Sequence, residues 1–317
     1  MSRDGISGAR LSAAPTSRST LVAFVLMVVL AGGNAVAIRF SNLGLPPFWG
    51  ATMRIVVAAL VFWAIIGVRG IALPRGRALL GAILYGLLSV GVAYAFVYWG
   101  LLRTPAGLAG AFLALVPLMT FFFAWAHRLE TFRWQGLTGA LIATAGVLIG
   151  VVGGLGGAAH VPSLLALVAG TAALAEAAIV FKLFPPSHPV ATNAVALTAG
   201  APILIVLSLL AGEQWSLPTT LNTWAAFAYL ALVGSVGVFS LYLYVLSRWT
   251  ASATSYSFLL IPVATVVIAA WLLGEVVTIS FVIGAALVLA GVWVGAIKGA
   301  PKTVELACSE MPNKSIC

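Results

Sequence analysis

The sequence predicts an all-α polytopic membrane protein: ten transmembrane helices arranged as two inverted five-helix repeats, with the N- and C-termini cytoplasmic. Three observations carry this. Charged residues are only 7% of the chain, against 62% hydrophobic, and the mean hydropathy is +1.14; a soluble domain is about 25% charged. A stretch near the middle recurs near the end, because Leu101–Gly150 shifted by 145 residues lies on Leu246–Gly295 without a gap. Lys and Arg gather in alternate loops.

A membrane-crossing helix needs about 20 apolar residues at about 1.5 Å rise each. Residues 1–19 are polar and rich in Ser and Arg, and read as a disordered cytoplasmic tail. The first span follows from Thr20 to Ile38. It is longer than a signal-peptide core and no cleavage site follows, so it is expected to be retained. The second is Phe48–Val68, after Pro46-Pro47, and the third Ala78–Leu102, uncharged between Arg77 and Arg103. Pro105–Ala126 and Trp134–Gly153 complete the first repeat, 20–153. Pro162–Phe184, Pro189–Ala211, Leu221–Leu246, Ala251–Gly274 and Val277–Ile297 form the second, 162–297. Residues 298–317 read as a second cytoplasmic tail. The short loops leave no chain for a soluble domain.

Orientation follows from the basic residues. With the N-terminus inside, cytoplasmic segments hold Arg3, Arg10, Arg18, Arg69, Arg75, Arg77, Arg128, Arg133, Lys182, Arg248, Lys298, Lys302 and Lys314. The outside holds Arg39 and Arg103, and Arg54 lies within the second span. In the duplication Arg103 meets Arg248, Pro117 meets Pro262, Thr120 meets Thr265 and Glu130 meets Glu275; Gly139, Gly146 and Gly150 meet Gly284, Gly291 and Gly295. Five spans is an odd number, so the two halves insert upside down relative to each other. Inverted repeats around a midplane site are a recurring transporter plan, because exchanging the conformations of two similar halves gives alternating access.

These residues resemble the drug/metabolite transporter superfamily, EamA type, over about residues 20–297. The resemblance is carried by Gly32-Gly33-Asn34 through Ile38-Arg39, Pro47 with Arg54, Leu101-Leu102-Arg103-Thr104-Pro105-Ala106-Gly107, Pro117, Glu130, Gly139-Ala140 and Gly146-Val147. The second half gives Pro262, Gly274-Glu275, Gly284-Ala285 and Gly291-Val292. Ala31 departs from the Trp that the family often has before its Gly-x-Asn, and Glu176 stands where the first half has Gly33 when Lys182 is matched to Arg39. The resemblance implies a secondary carrier exporting amino acids, related metabolites or drugs.

Six residues are candidates for substrate binding: Asn34, Arg54, Tyr94, Glu176, Ser240 and Tyr244. Glu176 leads, because an ionised carboxylate inside a span costs at least ~2.5–3.5 kcal/mol unless protonated, paired or facing a water-filled cavity. It could bind a substrate ammonium or carry a coupling proton; the plainer reading is a structural hydrogen bond to a neighbouring helix. Arg54 could hold a substrate carboxylate, pair with Glu176, or snorkel to the outer interface. Asn34 could line a cavity or make an interhelical hydrogen bond. Tyr94 and Tyr98 share a helix face and could line the cavity with Ser240 and Tyr244, although an interfacial aromatic belt explains Tyr98 as well. Pro117 and Pro262 are expected to kink their helices. Glu130 and Glu275 sit at span ends, where solvated or salt-bridged carboxylates are ordinary. The glycines of the fifth and tenth spans are small-xxx-small packing faces, within one protomer or in a homodimer.

Other functions lose support. No phosphate-binding loop or HExxH is present, and one acid lies clearly inside the membrane, so neither a cofactor, a metal nor paired-carboxylate enzyme chemistry is expected. The net charge of +9 comes from the asymmetric loops, with no basic cluster interleaved with aromatics for nucleic acid. Cys308 and Cys317 have no metal-type spacing and read as free thiols. The expected partners are a small-molecule substrate and the lipid bilayer. The expected function is proton-linked export through Glu176, with an uncoupled facilitator or exchanger and a lipid-moving protein as alternatives.

Overall fold

Without water, a backbone N–H or carbonyl in hydrocarbon must be satisfied inside its own segment, which leaves the helix as the open choice for this apolar chain. The computed structural model describes residues 18–101, 112–152, 161–273 and 279–297, and among them there is no strand. The elements are α1 (Arg18–Ser41), α2 (Pro47–Arg69), α3 (Arg77–Gly86), the π-helical π1 (Leu87–Val92), α4 (Ala93–Leu101), α5 (Val116–Ala126), α6 (Trp134–Val152), α7 (Val161–Leu183) and α8 (Pro189–Leu210). Then come α9 (Leu221–Ala228), π2 (Tyr229–Gly237), α10 (Val238–Arg248), α11 (Ala251–Ser255), α12 (Ser257–Leu273), α13 (Ile279–Val292) and π3 (Trp293–Ile297). Among the described residues seven helical stretches are long and apolar enough to cross a membrane, and three shorter apolar ones accompany them. The two tails with their cysteines, Arg103, and Gly274 with Glu275 lie outside the described residues.

Local signals set the ends. Pro47 opens α2 in its first turn, where its missing N–H costs nothing. Gly70 closes the helix at φ 61°, a conformation glycine adopts freely, and its N–H bonds back to Ile66. The inner face of α2 reads Ile55, Ala58, Phe62 and Ile66 at helical spacing, and it packs on Ala191, Ala194, Leu197 and Leu204 of α8. Away from these contacts large apolar side chains are exposed, such as Leu60, Leu209 and Leu210, as a lipid-facing surface requires.

The packing repeats the duplication. α2 lies on its counterpart α8, and α6 on its counterpart α13. α1 packs on α12 and on the rod formed by α9, π2 and α10; α7 packs on α5 and on the rod formed by α3, π1 and α4. Each first helix of a half thus crosses to the third and fourth spans of the other.

Three features differ from a set of uninterrupted α-helices. Both third spans carry a π-helical stretch, and π1 shifted by 145 residues falls inside π2. Serines mark both: Ser89 Oγ donates to Tyr85 O at 2.6 Å and Ser235 Oγ to Leu230 O at 2.9 Å, taking carbonyls that the regular ladder would use. The ninth span is broken between α11 and α12 at Tyr256, whose hydroxyl donates to Gly136 O at 2.9 Å. The two equivalent prolines act differently. The chain turns just before Pro117, which sits in the first turn of α5, whereas Pro262 is held inside an unbroken α12.

The glycine faces settle into one seam between α6 and α13. A Cβ on Gly146 would stand 2.6 Å from Gly284 O, and one on Gly291 would collide with the backbone of Gly139 and Ala143. Gly146→Val or Gly291→Val therefore forces the two helices apart, at about 1–3 kcal/mol or more each. Both variants should lose monodisperse protein and melt earlier in detergent. Gly67→Val is the control, since nothing lies within 4 Å of its Cβ position, and it should behave as wild type.

Candidate functional site

Charge is concentrated at one end of the bundle, here the basic end, where Arg128, Arg133, Lys182 and Arg248 lie beside helix termini. The two halves meet there over an apolar seal: Tyr85 of α3 and Ala124 of α5 pack with Ala177 and Ile179 of α7, Ala196 of α8, and Leu243, Leu246 and Ala251. A polar clasp crosses the same boundary, since Ser252 N donates to Glu130 Oε1 at 3.1 Å. Glu130 thereby satisfies a free N–H in the first turn of α11.

Glu176 stands within this end. It is seven residues before Leu183, so about 10 Å inside the end of α7. Because α5 stops at Ala126, the next residue, His127, comes within reach: its Nε2 lies 3.0 Å from Glu176 Oε1. The side chains are 40% and 26% exposed, so the pair is not sealed inside the bundle. Glu176 has no other partner among the described residues. An imidazolium on a carboxylate is the arrangement that lets an acid remain in a span at reduced cost.

Arg54 and Tyr94 form a second polar point near the opposite end. Each lies seven residues, about 10 Å, inside its helix terminus at Pro47 or Leu101. Arg54 is 6% exposed, and its Nη2 donates to the Tyr94 hydroxyl at 3.1 Å. Its guanidinium carbon lies 5.5 Å from the Tyr94 ring centroid, a cation–π distance. Arg54 and Glu176 are thus not joined: each has its own partner.

Asn34 ties α1 to π2. Its Nδ2 donates to Gly234 O at 3.3 Å, and its Oδ1 is buried with no hydrogen-bond partner among the described residues. The glycines beside it serve the same joint: Tyr229 donates to Leu30 O at 2.9 Å, Thr265 donates to Gly32 O at 3.0 Å, and a Cβ on Gly33 would strike the Tyr229 hydroxyl. Tyr244 lies one turn before the basic end, with the Arg248 guanidinium 3.6 Å over its ring. Ser240 is half-buried one turn further in. Tyr94 and Tyr244 therefore sit toward opposite ends, and the structure brings together Glu176 with His127 and Arg54 with Tyr94, but not all six candidates.

Sequence reasoning missed two residues. His127 had no motif; its signal was a titratable residue at the end of a span that stops short. Glu213 had none either. Its carboxylate accepts from Phe48 N at 3.0 Å, Trp49 N at 2.6 Å and Ser208 Oγ at 2.8 Å, capping α2 from the loop after α8. Trp49 stacks on Trp215 at 4.5 Å and donates from Nε1 to Ser216 O at 2.7 Å, fixing the same corner. Among the described residues no group of His, Cys, Asp or Glu could hold a metal ion.

A helical bundle of two packed halves, with seven helical stretches long and apolar enough to cross a membrane among the described residues, fits a multi-pass membrane protein. The chain belongs to the EamA-like transporter family, whose model matches residues 18–152 and again 161–296. It is similar to the inner membrane transporter YedA of Escherichia coli K12, whose activity is uncharacterised, at 28% identity over 257 residues, 80% of this chain and 82% of that one. It is 29% identical over 273 residues to a "probable terminal-alkyne amino-acid exporter" of Streptantibioticus cattleyicolor, covering 85% and 91%. A crystal structure at 20% identity superposes with a TM-score of 0.77 over 89% of this chain and 98% of the other, which shows the shared fold.

Glu213→Ala leaves two backbone donors at the start of α2 without their acceptor. It should cost about 1–2 kcal/mol, read as an earlier thermal transition in detergent. Glu213→Gln, which keeps one acceptor oxygen, should fall between.

Proposed function

We propose that this chain is a secondary, not ATP-driven, exporter of small amine-bearing metabolites, such as amino acids or amphiphilic drugs, in the bacterial inner membrane. In this reading ten spans form two inverted halves, residues 20–153 and 162–297. Both tails and the basic end face the cytoplasm, consistent with the excess of Lys and Arg there. The observation that carries the proposal is Glu176: a carboxylate inside a span, partly exposed, held through one oxygen by a partner that can lose its charge. It lies toward the side from which an exporter loads. Two of the similar proteins are named as an inner membrane transporter and an amino-acid exporter, which fits the same location and solute class.

Transport follows from alternation between halves. The substrate ammonium meets Glu176, and the seal of Tyr85, Ala124, Leu243 and Leu246 with the Glu130 clasp closes the basic end behind it. The site then opens on the other side, near Arg54 and Tyr94, where a substrate carboxylate would find a cation. A proton returning on Glu176 would reset the carrier. A second reading keeps the carrier without the coupling: the His127 contact is then a structural pair, and Glu176 moves no proton.

The test is survival of cells on a panel of toxic amino acids and analogues, comparing wild type, Glu176→Gln and empty vector at matched expression. Wild type should protect against a chemically related subset and lower its intracellular level, and Glu176→Gln should not. Protection that Glu176→Gln retains in full, with the same pH dependence, would favour the uncoupled reading. No compound separating wild type from vector would argue against amine export.

A further inference from the structure

His127 directly follows α5, so its imidazole stands at the carbonyl end of that helix, where positive charge is favoured. Its Nε2 holds one oxygen of Glu176 at 3.0 Å, while the other oxygen has no partner among the described residues. The surrounding groups do not offer Glu176 a different cation. The titratable and charged side chains on the elements packed around α7 and α5 are Arg77 and Tyr85 on α3, Tyr94 on α4, Arg128, Glu130 and Arg133 in the turn before α6, Tyr256 after α11, and Lys182 on α7 itself. Tyr94 is bonded to Arg54, Glu130 accepts from Ser252 N, and Tyr256 donates to Gly136 O. Lys182 is six residues along α7 from Glu176, about a third of a turn around the helix. The cation on Glu176 is therefore an imidazole, the side chain whose charge ordinarily changes between about pH 5 and pH 8. A primary ammonium keeps its charge throughout that range.

We propose that His127 is the resident cation of the Glu176 site, which a substrate ammonium displaces. His127 then sets how tightly the site takes amines. This rests on reading Glu176 as the amine-binding acid. The imidazole and the amine compete for the same carboxylate, so removing the imidazole tightens amine binding. Solutes without an amine do not compete.

The experiment uses the full chain in nanodiscs with ¹³C-labelled histidine. The chain has three histidines, and the His127 signal is the one lost in His127→Gln. n-Butylammonium chloride is the probe and n-butanol its neutral control. At fixed pH, butylammonium should move the His127 imidazole signal in wild type, and butanol should leave it in place. In Glu176→Gln the signal should ignore both. A wild-type signal that butylammonium leaves unmoved would overturn the proposal, because the amine would not displace the imidazole. Equal movement in wild type and Glu176→Gln would overturn it too, because the competition would not run through the carboxylate.

Transport of the compounds singled out by the survival panel gives a separate readout. His127→Gln should lower the half-saturating concentration several-fold. A wild-type value would count against displacement. No compound separating wild type from vector would defeat the exporter reading while leaving the spectroscopic competition intact, so the two failures are distinguishable.

Discussion

Every part of this structure answers to the cost of an unsatisfied backbone group away from water. Helices meet that cost internally except at their first and last turns and at breaks, and those places carry the polar side chains. Glu213 reaches over from the loop after α8 to take two N–H groups at the start of α2. Glu130 does the same for α11. Tyr229 and Thr265 donate to carbonyls of α1 beside Gly32 and Gly33, and Ser89 and Ser235 occupy carbonyls where the two rods become π-helical. Apart from the two serine contacts, these join residues far apart in sequence across the two halves, so the rule that enforces helices also ties the halves together.

The charged residues inside the bundle follow a related logic. Arg54 and Glu176 are not one ion pair, because their distances from the helix ends place them toward opposite sides. Each has a partner matched to its depth: a phenol and its ring for the guanidinium, an imidazole for the carboxylate. The two charged groups thus occupy separate points of the bundle.

Much of the fold was legible in the sequence because hydropathy and duplication are both long-range patterns. The spans expected from Phe48, Trp134, Pro162 and Pro189 begin within a residue of α2, α6, α7 and α8. The seam of Gly146 with Gly284 was legible as small-residue spacing, though not its placement within one protomer. The π-helical stretches were not, since a π turn and an α turn built from Leu, Val, Ser and Gly have the same hydropathy. The break at Tyr256 was equally hidden, because the expected signal, Pro262, lies six residues further on and is tolerated. At the site, the sequence singled out Glu176 by the cost of its charge, but it could not name His127, whose role depends on where α5 ends in space. Asn34 was weighed between cavity and joint; its bond to Gly234 O shows the joint.

The glycine seam has a bearing on how copies of the chain could meet. Small residues let membrane helices approach closely, and here those of α6 and α13 are consumed by each other. What remains toward lipid on α1 is Leu21, Val22, Val25, Leu26 and Val29, bulky and no more attracted to a neighbouring helix than to acyl chains. The duplication has in effect turned an association surface inward, so that one polypeptide contains the interface that two five-helix chains would otherwise have to find by diffusion in the bilayer.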